Sequence, residues 1–98
     1  MPMYSVHMKH SVESCPMFNK ENKIIIKELS SKKDNFARKE GIKVITGVFS
    51  PLEHTILYVV EAPAQDAVIR YFKEIGFAFY NKIEIKHVKS MENALERM

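Results

Sequence analysis

The chain is predicted to be one α+β domain, ordered strand-helix-strand-strand-helix-strand, and three observations lead there. Residues 3–9 alternate strictly, with Tyr4, Val6 and Met8 on one side and Ser5, His7 and Lys9 on the other. Residues 43–50 and 55–62 are runs rich in β-branched and aromatic residues, separated by only four residues. Two segments with helical apolar spacing each run up to a glycine, Gly41 and Gly76.

The first strand, about 3–9, stops at His10-Ser11, and Cys15-Pro16 then resembles a helix start, because proline at the first helical turn gives up an N–H that has no partner there. A helix is expected over about 16–40, with Phe18, Ile25, Leu29 and Phe36 along one face and Ser30-Ser31 as a weak point in the middle. Pro51-Leu52-Glu53-His54 is a short link suited to a hairpin between strands 43–50 and 55–62. Pro63 ends the third strand, and the helix over about 64–75 places Ala67, Val68, Tyr71, Phe72 and Ile75 on its apolar face. The last strand covers about 80–89, with Ile83 and Ile85 opposed to Glu84 and Lys86, and residues 91–98 are expected to form a frayed helix.

Two βαβ halves joined by a hairpin have one compact solution. Crossovers between parallel strands are right-handed, so the four strands form one antiparallel sheet in the order 4-1-3-2, with both helices on one face. The second and third strands are apolar on both faces: Val44 and Val48 against Ile45 and Phe49, Ile56 and Val60 against Leu57 and Val59. A water-facing antiparallel sheet shows apolar and polar residues in alternation instead. The uncovered face therefore calls for a second copy of the chain, packed sheet to sheet. The apolar segment Phe77-Ala78-Phe79-Tyr80 invites association beyond a dimer.

Composition narrows the function classes. With 98 residues there is room for a single core, and 46% apolar with 28% charged residues is ordinary for a globular chain. Fifteen basic against twelve acidic residues give a net charge of +3, too small and too dispersed for a nucleic-acid surface. Cys15 is the only cysteine, which excludes an intramolecular disulfide and any Cys-x-x-Cys metal pair. The three glycines, at 41, 47 and 76, form no phosphate-binding loop. Residues 55–62 lack the aromatic motif of an RNA-recognition sheet. The first residues lack a signal-peptide layout and no apolar run reaches the ~20 residues of a membrane span, so a cytoplasmic location is expected, with no membrane partner.

Layout, size and the segment His54-Thr-Ile-Leu-Tyr-Val-Val-Glu-Ala62 resemble the dimeric α/β-barrel superfamily of ferredoxin-like proteins. More narrowly, His10 through Pro16 (His-x4-Cys-Pro) and His54-Thr55 are similar to small members of that superfamily with no established activity. The resemblance implies a ferredoxin-like fold and a homodimer. It leaves the reaction open, because the superfamily includes cofactor-free oxygenases, isomerases, haem proteins and plain ligand binders.

Topology points to the candidate site. The first strand ends at His10, with Cys15 just beyond it, and the hairpin before the neighbouring third strand carries His54. Three metal-ligating residues, distant in sequence, thus gather at one sheet edge. Thiolate and imidazole suit zinc, copper or iron, and three protein donors leave a coordination position free. Glu13 and Glu53 flank the group as candidates for a fourth ligand or a supporting acceptor. Without a metal, Cys15 at a helix start next to a histidine would be an activated thiol. His7, on the mixed face of the first strand, is the polar candidate for acid–base work in the dimer interior. Three function classes follow: a dimeric metal or small-ligand binder at His10, Cys15 and His54; a small oxygenase or isomerase working around His7; and an assembly module without chemistry.

Overall fold

A computed structural model describes all 98 residues, Met1–Met98. Four strands, β1 (Met3–Lys9), β2 (Lys43–Ser50), β3 (Thr55–Glu61) and β4 (Lys82–Val88), form one antiparallel sheet in the order β2-β3-β1-β4. This is the expected order 4-1-3-2 read from the other side, and the fold is ferredoxin-like. Helices α1 (Lys20–Ser30), α2 (Lys33–Glu40) and α3 (Gln65–Glu74) complete the two βαβ halves, a 3-10 turn spans Phe77–Phe79, and α4 (Met91–Glu96) ends the chain.

The core lies between the sheet and α3. Tyr4, Val6 and Met8 of β1 and Val60 of β3 meet Ala67, Val68, Tyr71, Phe72 and Ile75, so every residue of the expected α3 face is buried. Phe72 is completely enclosed and packs against the Tyr58 ring at 5.2 Å between centroids. Tyr58 owes its place to Gly47, its partner across β2 and β3. A Cβ at Gly47 would stand 2.5 Å from the Tyr58 ring.

The helix expected over 16–40 is instead two helices preceded by a turn-rich segment. Asn19 caps α1 by accepting from the Asn22 N–H at 3.0 Å, which starts the helix at Lys20 rather than at Pro16. Lys32 breaks the run near the expected weak point, and Gly41, at φ 71°, closes α2. The anticipated face through Phe18 and Ile25 is also out of phase. Both residues are exposed, and α1 turns Ile26 and Leu29 toward Gly76 instead. Lys39–Glu74 at 3.1 Å and Arg70–Glu40 at 2.9 Å tie α2 to α3.

A β-bulge between Val44 and Thr46 changes the expected faces of β2. Val44 pairs with Val60 and Phe49 with Ile56 on the helix side, whereas Val48 pairs with Leu57 on the open side. The single extra residue reverses the alternation after it. The open face is therefore apolar along Val48, Leu57 and Val59 and at the paired Met3 and Val88, beside a polar row of Lys82, Glu84 and Lys86 on β4.

Candidate metal centre

The site lies where β1 ends. His10 follows the last paired residue of β1, and its N–H donates to the His54 carbonyl at 3.2 Å, which extends the β1–β3 ladder by one step. His54 closes the link from β2 with φ 54°, the only non-glycine residue in the left-handed region. That conformation costs a side chain about 1–2 kcal/mol, and glycine is its usual occupant. The imidazoles of His10 and His54 consequently meet edge to face, 5.4 Å between centroids.

Cys15 reaches the same point from the β1–α1 segment, which short polar contacts hold in place. Ser11 and Ser14 join their hydroxyls at 2.8 Å, the Asn19 side chain donates to the Glu13 carbonyl at 3.0 Å, and Asn22 donates to the Ser14 carbonyl at 2.7 Å. The Cys15 carbonyl accepts from the N–H groups of Phe18 and Asn19. Cys15 itself is 5% exposed. It lies before the Asn19 cap and not at the helix start, so the expected activation of the thiol by a helix N-terminus does not apply.

One ligand atom each from His10, Cys15 and His54 lies within 4.8 Å of the other two. Glu13 and Glu53 are exposed, and neither belongs to the group. His7 also lies outside it, on the open face of the sheet. There its Nε2 sits 3.1 Å from Ser5 Oγ, and it lines a cleft of about 430 Å³ with Leu57, Lys82 and its cross-strand neighbour Glu84.

The structure brings two further residues to the site that no sequence pattern marks. Asn81, 8% exposed, sets its Oδ1 2.8 Å from His10 Nδ1. Tyr80 packs its ring over His10 at 5.1 Å, and burial pushes its phenol above the ordinary range, so it stays protonated. Asn81 carries no signal in the sequence, because its place follows from strand register. Lys9 pairs with Lys82, so the residue before Lys82 must fall beside the residue after Lys9.

His10 Nε2 is the only buried side-chain polar atom in the protein without a hydrogen-bond partner. Leaving such an atom unpaired costs about 1–3 kcal/mol. Nδ1 is engaged by Asn81, so Nε2 is the nitrogen this ring has left to give.

No protein-family model matches the chain, and no curated protein matches it in sequence. Among solved structures, the crystal structure of SCO4226 from Streptomyces coelicolor A3(2) is similar with a TM-score of 0.59 and 15% identity, over 89% of this chain and 96% of that one. A de novo designed ferredoxin-fold protein gives 0.48 at 11% identity, over 91% of this chain and 85% of that one. A dimeric ferredoxin-like protein from an uncultured marine organism gives 0.38 at 17%, over 92% and 94%. The fold likeness rests on the first of these, and at such identity it is a likeness of fold alone.

Proposed function

We propose that this protein binds a transition metal ion through His10, Cys15 and His54. The observation that carries the reading is the buried, unpartnered Nε2 of His10 in a three-residue group whose ligand atoms lie within 4.8 Å of one another. A cation there would engage an atom that is otherwise desolvated at a loss. The left-handed backbone of His54 supports the same reading, since local strain of this kind, in a conformation glycine adopts more cheaply, clusters at functional sites.

The donor set is one thiolate and two imidazoles, which suits zinc, copper or iron. Three protein ligands and no neighbouring carboxylate leave a position for water or a small ligand on the ion. When bound, the metal would supply Lewis-acid or redox chemistry. The chain's own contribution is a fixed donor geometry, a largely buried thiol and an aromatic wall formed by Tyr80 and Phe18, whose ring lies 6.0 Å from that of His54.

The working form in this reading is a homodimer packed through the open sheet faces, where Val48, Leu57 and Val59 make the apolar strip. A reducing cytoplasm fits the single thiol, which must stay reduced to ligate.

The test is elemental analysis of tag-free protein purified without chelator, beside Cys15→Ala and His54→Ala. Near-stoichiometric metal in the parent, lost in both variants, is the expected result. Absence of metal even after zinc, copper and iron are supplied would overturn the reading and turn attention to the cleft around His7.

A further inference from the structure

We infer that Asn81 is a positioning residue that fixes the tautomer of His10 and so prepares Nε2 as a ligand. The inference rests on the metal reading and goes beyond it, because it assigns a role to a residue that touches no ion.

The donors and acceptors around Asn81 have one consistent arrangement. The Phe77 carbonyl can only accept, and Asn81 Nδ2 lies 3.0 Å from it, so the amide nitrogen of Asn81 points to Phe77. Asn81 Oδ1 then faces His10, and it too can only accept. The proton of the neutral imidazole must therefore sit on Nδ1, which donates to Oδ1 across 2.8 Å. Nε2 is left with its lone pair bare, buried and free of protein partners. This is the form in which a histidine ligates through Nε2, and outer partners of this kind orient the rings of metal-bound histidines generally.

Asn81 is itself well anchored. Its backbone N–H donates to the same Phe77 carbonyl at 3.2 Å, so one acceptor holds both ends of the residue. Phe77 packs on Phe72 and Tyr58 of the core, at ring separations of 6.1 and 6.0 Å. The amide is thus referenced to the core and not to a surface loop, which keeps the ring of His10 in one orientation before any ion arrives. Ser5 and Asn81 are the only buried polar residues of the protein.

The experiment has two readouts on the full chain. Long-range proton–nitrogen correlation on ¹⁵N-histidine-labelled, metal-free protein reads which ring nitrogen of His10 carries the proton. Competition with a zinc chelator reads zinc affinity. The parent should show a protonated Nδ1 and a bare Nε2. Asn81→Ala should lose that single tautomer and bind zinc about 10–100-fold more weakly. Asn81→Asp keeps an acceptor facing Nδ1 but sets its second oxygen against the Phe77 carbonyl, so it should retain the Nδ1 proton and hold zinc more tightly than Asn81→Ala, at some cost in stability. That rescue, together with a folded amide spectrum for each variant, separates positioning from mere folding.

A proton on Nε2 of the parent would overturn the inference. So would Asn81→Ala with unchanged tautomer and affinity, and in that case the metal reading survives if the parent binds zinc. The expected tautomers with no zinc bound by any form would sink the metal reading and leave Asn81 as a tautomer-setting residue.

Discussion

Replacing His54 by glycine should separate what the fold needs from what the site needs. In the metal-free protein the substitution removes a side chain from a φ of 54°, a relief of about 1–2 kcal/mol. Against this stand about 0.4–1 kcal/mol for the extra freedom glycine brings to the unfolded chain and a similar loss from the half-buried ring that touches His10 and Phe18. The terms nearly cancel, and His54→Gly should lie within about 1 kcal/mol of the parent in urea unfolding with chelator present. With zinc the two proteins should diverge. At a zinc concentration one hundred times its Kd the parent gains about 2.7 kcal/mol, which for a domain of this size raises Tm by roughly 10–20 °C. Loss of one of three donors should leave the variant with a shift under about 3 °C at the same zinc. A metal-free loss well above 1 kcal/mol would show that His54 serves the fold. An undiminished zinc shift would show that it is no ligand.

Other consequences can be checked on the same material. Burial raises the phenol pKa values of Tyr58 and Tyr71 above the ordinary 10.0, and for Tyr71 the neighbouring Tyr58 and Asp34 add to the effect. The unfolded chain then loses these protons first, so their contribution to stability is complete below pH 10 and is lost as pH rises through the raised values. Urea midpoints should be insensitive to these groups between pH 7 and 9 and fall above pH 10, less steeply in Tyr58→Phe; an equal fall in parent and variant would contradict this. In the proposed homodimer Leu57→Lys places a charge in the middle of the interface and should give monomers in sedimentation equilibrium, while a dimer that persists would locate the interface elsewhere. Phe72→Ala empties the center of the helix–sheet core and should cost about 3–5 kcal/mol, read as a lower urea midpoint at constant m.

Much of this architecture is written in local patterns. The alternation of Tyr4, Val6 and Met8 marks β1, and the three-and-four spacing of Ala67, Val68, Tyr71, Phe72 and Ile75 marks a helix whose face the core then buries. Both are legible because side-chain direction in a strand or helix follows from backbone period alone. The gathering of His10, Cys15 and His54 was legible as well, since a hairpin before β3 must return its last residue to the end of β1.

Tertiary structure decided the rest. The bulge between Val44 and Thr46 moved Val48 to the open face, and no local period announces an extra residue in a ladder. Asn19 outcompeted Pro16 for the start of α1 because its side chain could satisfy the Asn22 N–H, which places Cys15 in a turn and not at a helix dipole. Asn81 acquired its role only from the register of β4 against β1 and from the Phe77 carbonyl that orients its amide. The sequence determined the elements and which loop residues share an edge, because those follow from the chain's own periodicity and connectivity. Which atoms of those residues face one another, and which are left without a partner, depends on packing between segments far apart in the chain, and only the folded structure specifies that.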